Sequence, residues 1–138
     1  MTDITHDPAA LRDLLASARV IAVVGHSDKP TRTSYQIARF LRLVGYTVYP
    51  VNPTVAQIDG AISYPSLAAV PEPIDIVDVF RRSEHLLGVV EDAIAAQAGA
   101  VWAQLGVADS AAAARAQAAE MPIVVNTCIK VAYNQLIG

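Results

Sequence analysis

The chain has 138 residues, 54% of them hydrophobic and 17% charged, with a formal net charge of -3 at pH 7. That length and polarity describe one globular domain able to bury a core, and they exclude a disordered or low-complexity chain. An acidic average surface repels nucleic acid and anionic membranes, so only a local basic patch could recruit an anion.

The first residues, MTDITHDPAALRDLLASARV, lack the basic start and long apolar core of a signal peptide. No window approaches the roughly 18 apolar residues of a membrane span. One cysteine, Cys128, permits no internal disulfide and no thiol cluster for zinc. The expectation is a single soluble, cytoplasmic domain over 1–138 that binds neither nucleic acid nor membrane.

Asp7 followed by Pro8 is a helix start, an N-cap carboxylate with proline at N1. Leu11, Leu14, Leu15 and Ala18 then line one face, so residues 1–19 read as a covering helix. Five short runs rich in β-branched residues follow: VIAVVG (20–25), YTVYPVN (46–52), IDIVDVF (74–80), AVWAQLGV (100–107) and PIVVN (122–126). Between the first two, Thr33 and Gln36 have capping-box spacing, Ile37, Ala38, Leu41 and Val44 form a helical stripe, and Gly45 can end it.

The prolines of YPSLAAVPEPI allow at most a short helical turn before the third strand. Ser83 can cap a helix with Leu86, Leu87, Val90 and Ile94 inside. Asp109 or Ser110 opens an alanine-rich helix, and 129–137 can form a last one. Regular alternation of strand and helix implies an α/β fold, a doubly wound parallel five-stranded sheet with helices on both faces. The strand order is expected to be 3-2-1-4-5.

In such a sheet a ligand lies outside the carboxyl ends of the strands at the switch point, here between strands 1 and 4. Those ends carry GHSDKPTR (25–32), PVNP (50–53), FRR (80–82), QLG (104–106) and NTCIK (126–130). Five of the ten Lys and Arg residues fall there: Lys29, Arg32, Arg81, Arg82 and Lys130. A shared basic edge on an acidic molecule points to an anion, although loops are also where charges ordinarily go.

Gly25 permits a tight turn, and the following helix aims its free N–H groups and positive dipole end at the loop, a setting for phosphate. The second and third glycines of a dinucleotide fingerprint are missing, and no acid ends the second strand to accept from ribose hydroxyls. Both absences argue against a nicotinamide nucleotide. Pro50, Asn52 and Pro53 instead make a stiff wall suited to a base or a pantetheine-like arm.

His26 either donates to a ligand oxygen or faces solvent. His6 and His85 read as surface residues, and three isolated histidines make no metal site. Cys128 with His26 as its base would be a nucleophilic pair, but one intervening strand separates their roots by roughly 10 Å. Trp102 and its neighbouring alanines read as core, and Asp75 and Asp78 as ending in water or pairing with arginine.

Taken together, IAVVGHSDKPTRTSYQIARFL, GYTVYPVNP, YPSLAAVPEPIDIVDVFRRSE, VWAQLGV and the Cys128-containing end resemble one family. It is that of the small stand-alone CoA-binding domain proteins, similar to the CoA-binding domain of the succinyl-CoA synthetase α subunit, over about residues 17 to 131. The resemblance implies a Rossmann-like domain with coenzyme A across the strand ends. Gly25, Ser27 and Arg32 would approach the phosphates, Pro50, Asn52 and Pro53 would line the cofactor's path, and Phe80 and Arg81 would meet the adenine or 3′-phosphate end. Gln104 and Gly106 would face the same crevice.

The chain departs from the family at His26, where leucine or alanine is frequent, and at Asn126 and Thr127, where an Asp-Arg pair often precedes the cysteine. Ala132 and Tyr133 stand where an acid and a histidine often follow. The expected function is binding of CoA or an acyl-CoA without catalysis, with a homodimer or a protein partner as possible company. A nicotinamide-dependent oxidoreductase and a thiol-redox or interaction module centred on Cys128 are the alternatives.

Overall fold

The computed structural model describes residues 2–138. Five parallel strands form one sheet: β1 (Val20–Val24), β2 (Thr47–Val51), β5 (Ile76–Val79), β6 (Ala100–Ala103) and β7 (Ile123–Val124). A two-stranded antiparallel hairpin, β3 (Gln57–Ile58) and β4 (Ala61–Ile62), stands apart from it. β1, β5 and β6 are buried along their whole length, as near-continuous apolar runs require when helices cover both faces.

The sheet order is β2-β1-β5-β6-β7, so the third predicted strand lies beside the first and not beyond the second. This corrects the expected 3-2-1-4-5. The reason was present in YPV: Pro50 has no N–H to give a second neighbour, which suits an edge strand. β2 is accordingly the edge, half exposed at its start. The order reverses between β1 and β5, so the switch point lies there.

Helices α1 (Pro8–Ser17), α2 (Thr33–Leu43) and α5 (Ile129–Leu136) cover one face, where Leu11, Leu15, Ile37, Leu41 and Ile129 pack against Ile21, Val23, Ile76 and Trp102. Helices α3 (Leu86–Ala95) and α4 (Ser110–Ala118) cover the other. Each fully buried aliphatic side chain contributes roughly 1.5–3 kcal/mol relative to exposure, which orders these short helices.

Asp7 caps α1 as its sequence position predicts, accepting from Ala10 N–H, and of the two candidates Asp109 and Ser110 it is Asp109 that caps α4, accepting from Ala112 N–H. Ser83 does not cap: its hydroxyl bonds Ala108 N–H and Gly106 C=O, holding the end of β6, while 83–85 form a 3-10 turn ahead of α3. In α3 the inward residues are Leu86, Val89, Val90 and Ala93, whereas Leu87 is exposed and Ile94 only partly buried.

Candidate functional site

Because all five main strands are parallel, their carboxyl ends bring the predicted loops to one edge of the sheet. Placing β5 next to β1 sets the FRR loop directly against the loop after β1. A Cβ added to Gly25 would stand 2.8 Å from the Phe80 carbonyl oxygen, and Gly25 has φ +85°. Only glycine lets these two backbones approach so closely.

Arg32 is the N-cap of α2 and offers no side-chain cap. The expected Thr33–Gln36 capping box is therefore not formed; Thr33 is already inside the helix, and Gln36 reaches back to the Pro30 carbonyl at 3.4 Å. Gln36 N–H closes the first turn onto Arg32, while the N–H groups of Thr33, Ser34 and Tyr35 have no protein acceptor among the described residues. Those three donors and the helix dipole point toward the loop after β1, which is how a helix receives an anion. Ser34 shapes that loop by accepting Ser27 N–H at 2.9 Å, and Ser27 Oγ accepts Lys29 N–H at 3.1 Å.

Two grooves meet at Arg81. One, about 250 Å³, runs between the ends of β1 and β2 and is walled by Gly25, Asn52, Pro53, Pro65 and Leu67. It continues past Ser66 and Asp92 into a depression of about 340 Å³ near Ile74. The other, about 400 Å³, runs past the ends of β5 and β6 between Thr33, Phe80, Gln104 and Cys128, with Arg82 and Gly106 at its margin.

Asn52 works through the backbone: its Nδ2 donates to the His26 carbonyl at 2.9 Å, and its Oδ1 accepts from Thr54 N–H and Oγ1 at 3.0 and 2.7 Å. That ties the β2 end to the loop after β1. Asn126, at φ +50°, similarly holds the β6 loop by accepting Gly106 N–H at 2.7 Å.

Several sequence-predicted residues sit elsewhere. His26 does not face solvent; it is fully buried, with Nδ1 2.8 Å from the Ser27 carbonyl, its ring edge-on to Tyr35 and Nε2 without a partner among the described residues. Burial holds its imidazole below the ordinary range, against the raising effect of the Ser27 carbonyl, so it is neutral near pH 7. Pro50 is buried within β2, and its carbonyl accepts Tyr64 N–H. Lys130 lies on α5 over the Phe40 ring, 5.3 Å from its centroid, in a separate depression with Tyr35 and Arg39. Lys29 and Arg32 are exposed in the loop, and Arg82 approaches Glu84 at 3.8 Å.

His26 and Cys128 follow β1 and β7, with two strands between them rather than one. Three strand steps separate their roots by roughly 14 Å, so they form no direct pair. Neither Asp75 nor Asp78 pairs with an arginine side chain among the described residues, and the contact of Asp75 with Arg19 is to the Arg19 backbone N–H. Asp75 accepts the N–H groups of Arg19 and Val20 at 2.8 and 2.9 Å, anchoring the start of β1. Asp78 is fully buried on β5 between Val23 and Trp102, with neither oxygen paired among the described residues, and burial pushes its carboxyl well above the carboxylate range.

Sequence reasoning missed Pro65, Ser66 and Leu67 on the β2-side groove and Thr33 and Leu105 on the other. It also missed the β3–β4 hairpin, although Asp59-Gly60 between Ile58 and Ala61 is a hairpin-turn signal. The hairpin tip is joined to α2 by the Tyr35 hydroxyl donating to Asp59. The first acid after β2 is thus turned toward α2.

Comparison with known proteins agrees with this fold. The chain is 39% identical over 125 residues to uncharacterized protein YneT of Bacillus subtilis, covering 91% of this chain and 93% of that protein. A hypothetical protein from Pyrococcus horikoshii has the same fold with a TM-score of 0.94 at 33% identity, over 100% of this chain and 98% of that one. Acetate–CoA ligase (ADP-forming) I of Archaeoglobus fulgidus is 38% identical over 74 residues, which are 54% of this chain but 11% of the ligase. Residues 19–134 match the family described as CoA binding domain, and the chain belongs to that family.

Proposed function

We propose that this protein binds coenzyme A or an acyl-CoA across the carboxyl ends of its parallel strands, as a carrier or sensor and not as a catalyst. The observation that carries the reading is the uncapped N-terminus of α2, whose three free N–H groups adjoin the Gly25 turn and the arginine shared by two grooves. A diphosphate there accepts from the helix N–H groups and from Arg32 and Arg81, while the two halves of a long ligand extend into opposite grooves. The acid-free end of β2 favours CoA over NAD, since Asn52 is already engaged with the loop and Asp59 with Tyr35.

Thermal denaturation with CoA, 3′-dephospho-CoA, NAD and ATP tests this. A ligand at about 100 times its dissociation constant adds about 2.7 kcal/mol of stability. CoA is expected to raise the melting temperature and NAD to leave it unchanged; the reverse result overturns the proposal.

A further inference from the structure

Cys128, the one thiol of the chain, is half buried on the wall of the 400 Å³ groove beyond β5 and β6. A second feature of that groove calls for a ligand. Gln104 is 5% exposed, and its Oε1 accepts the Ile129 N–H at 3.1 Å, which fixes the amide plane. Its Nε2 donates to no protein group among the described residues, yet the side chain lines the groove beside Cys128. An amide fixed through its oxygen, with its N–H donors open to the groove among the apolar walls of Phe80, Leu105 and Val107, suits a carbonyl on an otherwise apolar chain.

The groove begins at Thr33 and Arg81, the diphosphate position proposed above. The pantetheine arm of CoA starts at that diphosphate, carries amide carbonyls along an apolar chain and ends in a thiol. We infer that this groove seats the pantetheine arm with its sulfur against Cys128, making Cys128 a site of reversible mixed-disulfide formation with CoA. This rests on the CoA reading.

The step is an exchange with CoA disulfide. The Cys128 thiolate attacks one sulfur, a protein–CoA S–S bond forms as the CoA–CoA S–S bond breaks, and one CoA leaves as thiolate with the electron pair. The proton given up by Cys128 is taken by that thiolate or by solvent. No further oxidant or reductant enters.

The test incubates the protein with CoA disulfide or glutathione disulfide, followed by intact-mass measurement and peptide mapping. Binding of the nucleotide half raises the local disulfide concentration, so CoA disulfide should modify Cys128 at least about tenfold faster than glutathione disulfide. The rate should saturate, fall when 3′-phosphoadenosine 5′-phosphate occupies the nucleotide positions, and leave no adduct in Cys128→Ser. Equal rates for the two disulfides, or no Cys128 adduct in protein that CoA stabilises thermally, overturn this inference alone. No stabilisation by CoA overturns the binding proposal and this inference with it.

Discussion

Gly25 carries two demands that no other residue type meets at once. Its φ of +85° lies where an L side chain is strained, and a Cβ would meet the Phe80 carbonyl at 2.8 Å, a backbone atom that cannot swing aside. Gly25→Ala is expected to cost at least about 1–2 kcal/mol from the dihedral alone, with more from pushing the β1 and β5 loops apart. Urea denaturation measures it, and an unchanged midpoint would show that neither the positive φ nor the contact with Phe80 constrains this position. The need for glycine was legible in VVGHS, because a strand running into a helix must turn sharply. Its closeness to Phe80 was not, because residues 25 and 80 meet only once β5 pairs with β1. His26 shows the same limit: its place in the loop was readable, whereas its burial against Tyr35 depends on where α2 packs.

Helix α2 is built with an unfinished beginning. Arg32 has φ -83° and ψ 146°, the extended conformation that a capping residue adopts, yet its side chain caps nothing. Arg32→Ser is therefore expected to raise the stability of the ligand-free protein by about 0.5–2 kcal/mol through a new bond to Ser34 or Tyr35 N–H. It should also shrink the stabilisation by CoA, since the cap occupies donors that the proposed diphosphate would use and the guanidinium is gone. Melting temperatures with and without CoA report both effects, and a variant that gains in both would remove the α2 N-terminus from the site. The stripe of Ile37, Ala38 and Leu41 made this helix legible, because helical periodicity is local. The capping-box spacing misled because two residues at the right interval do not show where the first helical turn begins.

Across the whole molecule, two buried titratable groups bias stability in opposite directions. Asp78 has its folded pKa raised above 3.8 by burial, so it contributes stability at low pH that is lost as pH rises through the folded value. His26 has its folded pKa lowered below 6.5, so its contribution is present above 6.5 and is lost as pH falls toward the folded value. Asp78→Asn keeps the shape without an ionisable group. Its stability relative to the parent should rise with pH above 3.8, as measured by urea denaturation at intervals between pH 4 and 8. A pH-independent difference would show that Asp78 titrates alike in the folded and unfolded chains. The sequence by itself determined the alternation of strands and helices, the cap at Asp7, and the edge where the basic residues of an anion site could gather, since periodicity, capping and turns act between near neighbours. Only the tertiary structure decided that β5 lies beside β1, that Asp78 and His26 are enclosed, that Lys130 stands over Phe40, and that Arg81 joins two grooves. A buried apolar strand records that both its faces are covered, but it does not record which strand is its neighbour.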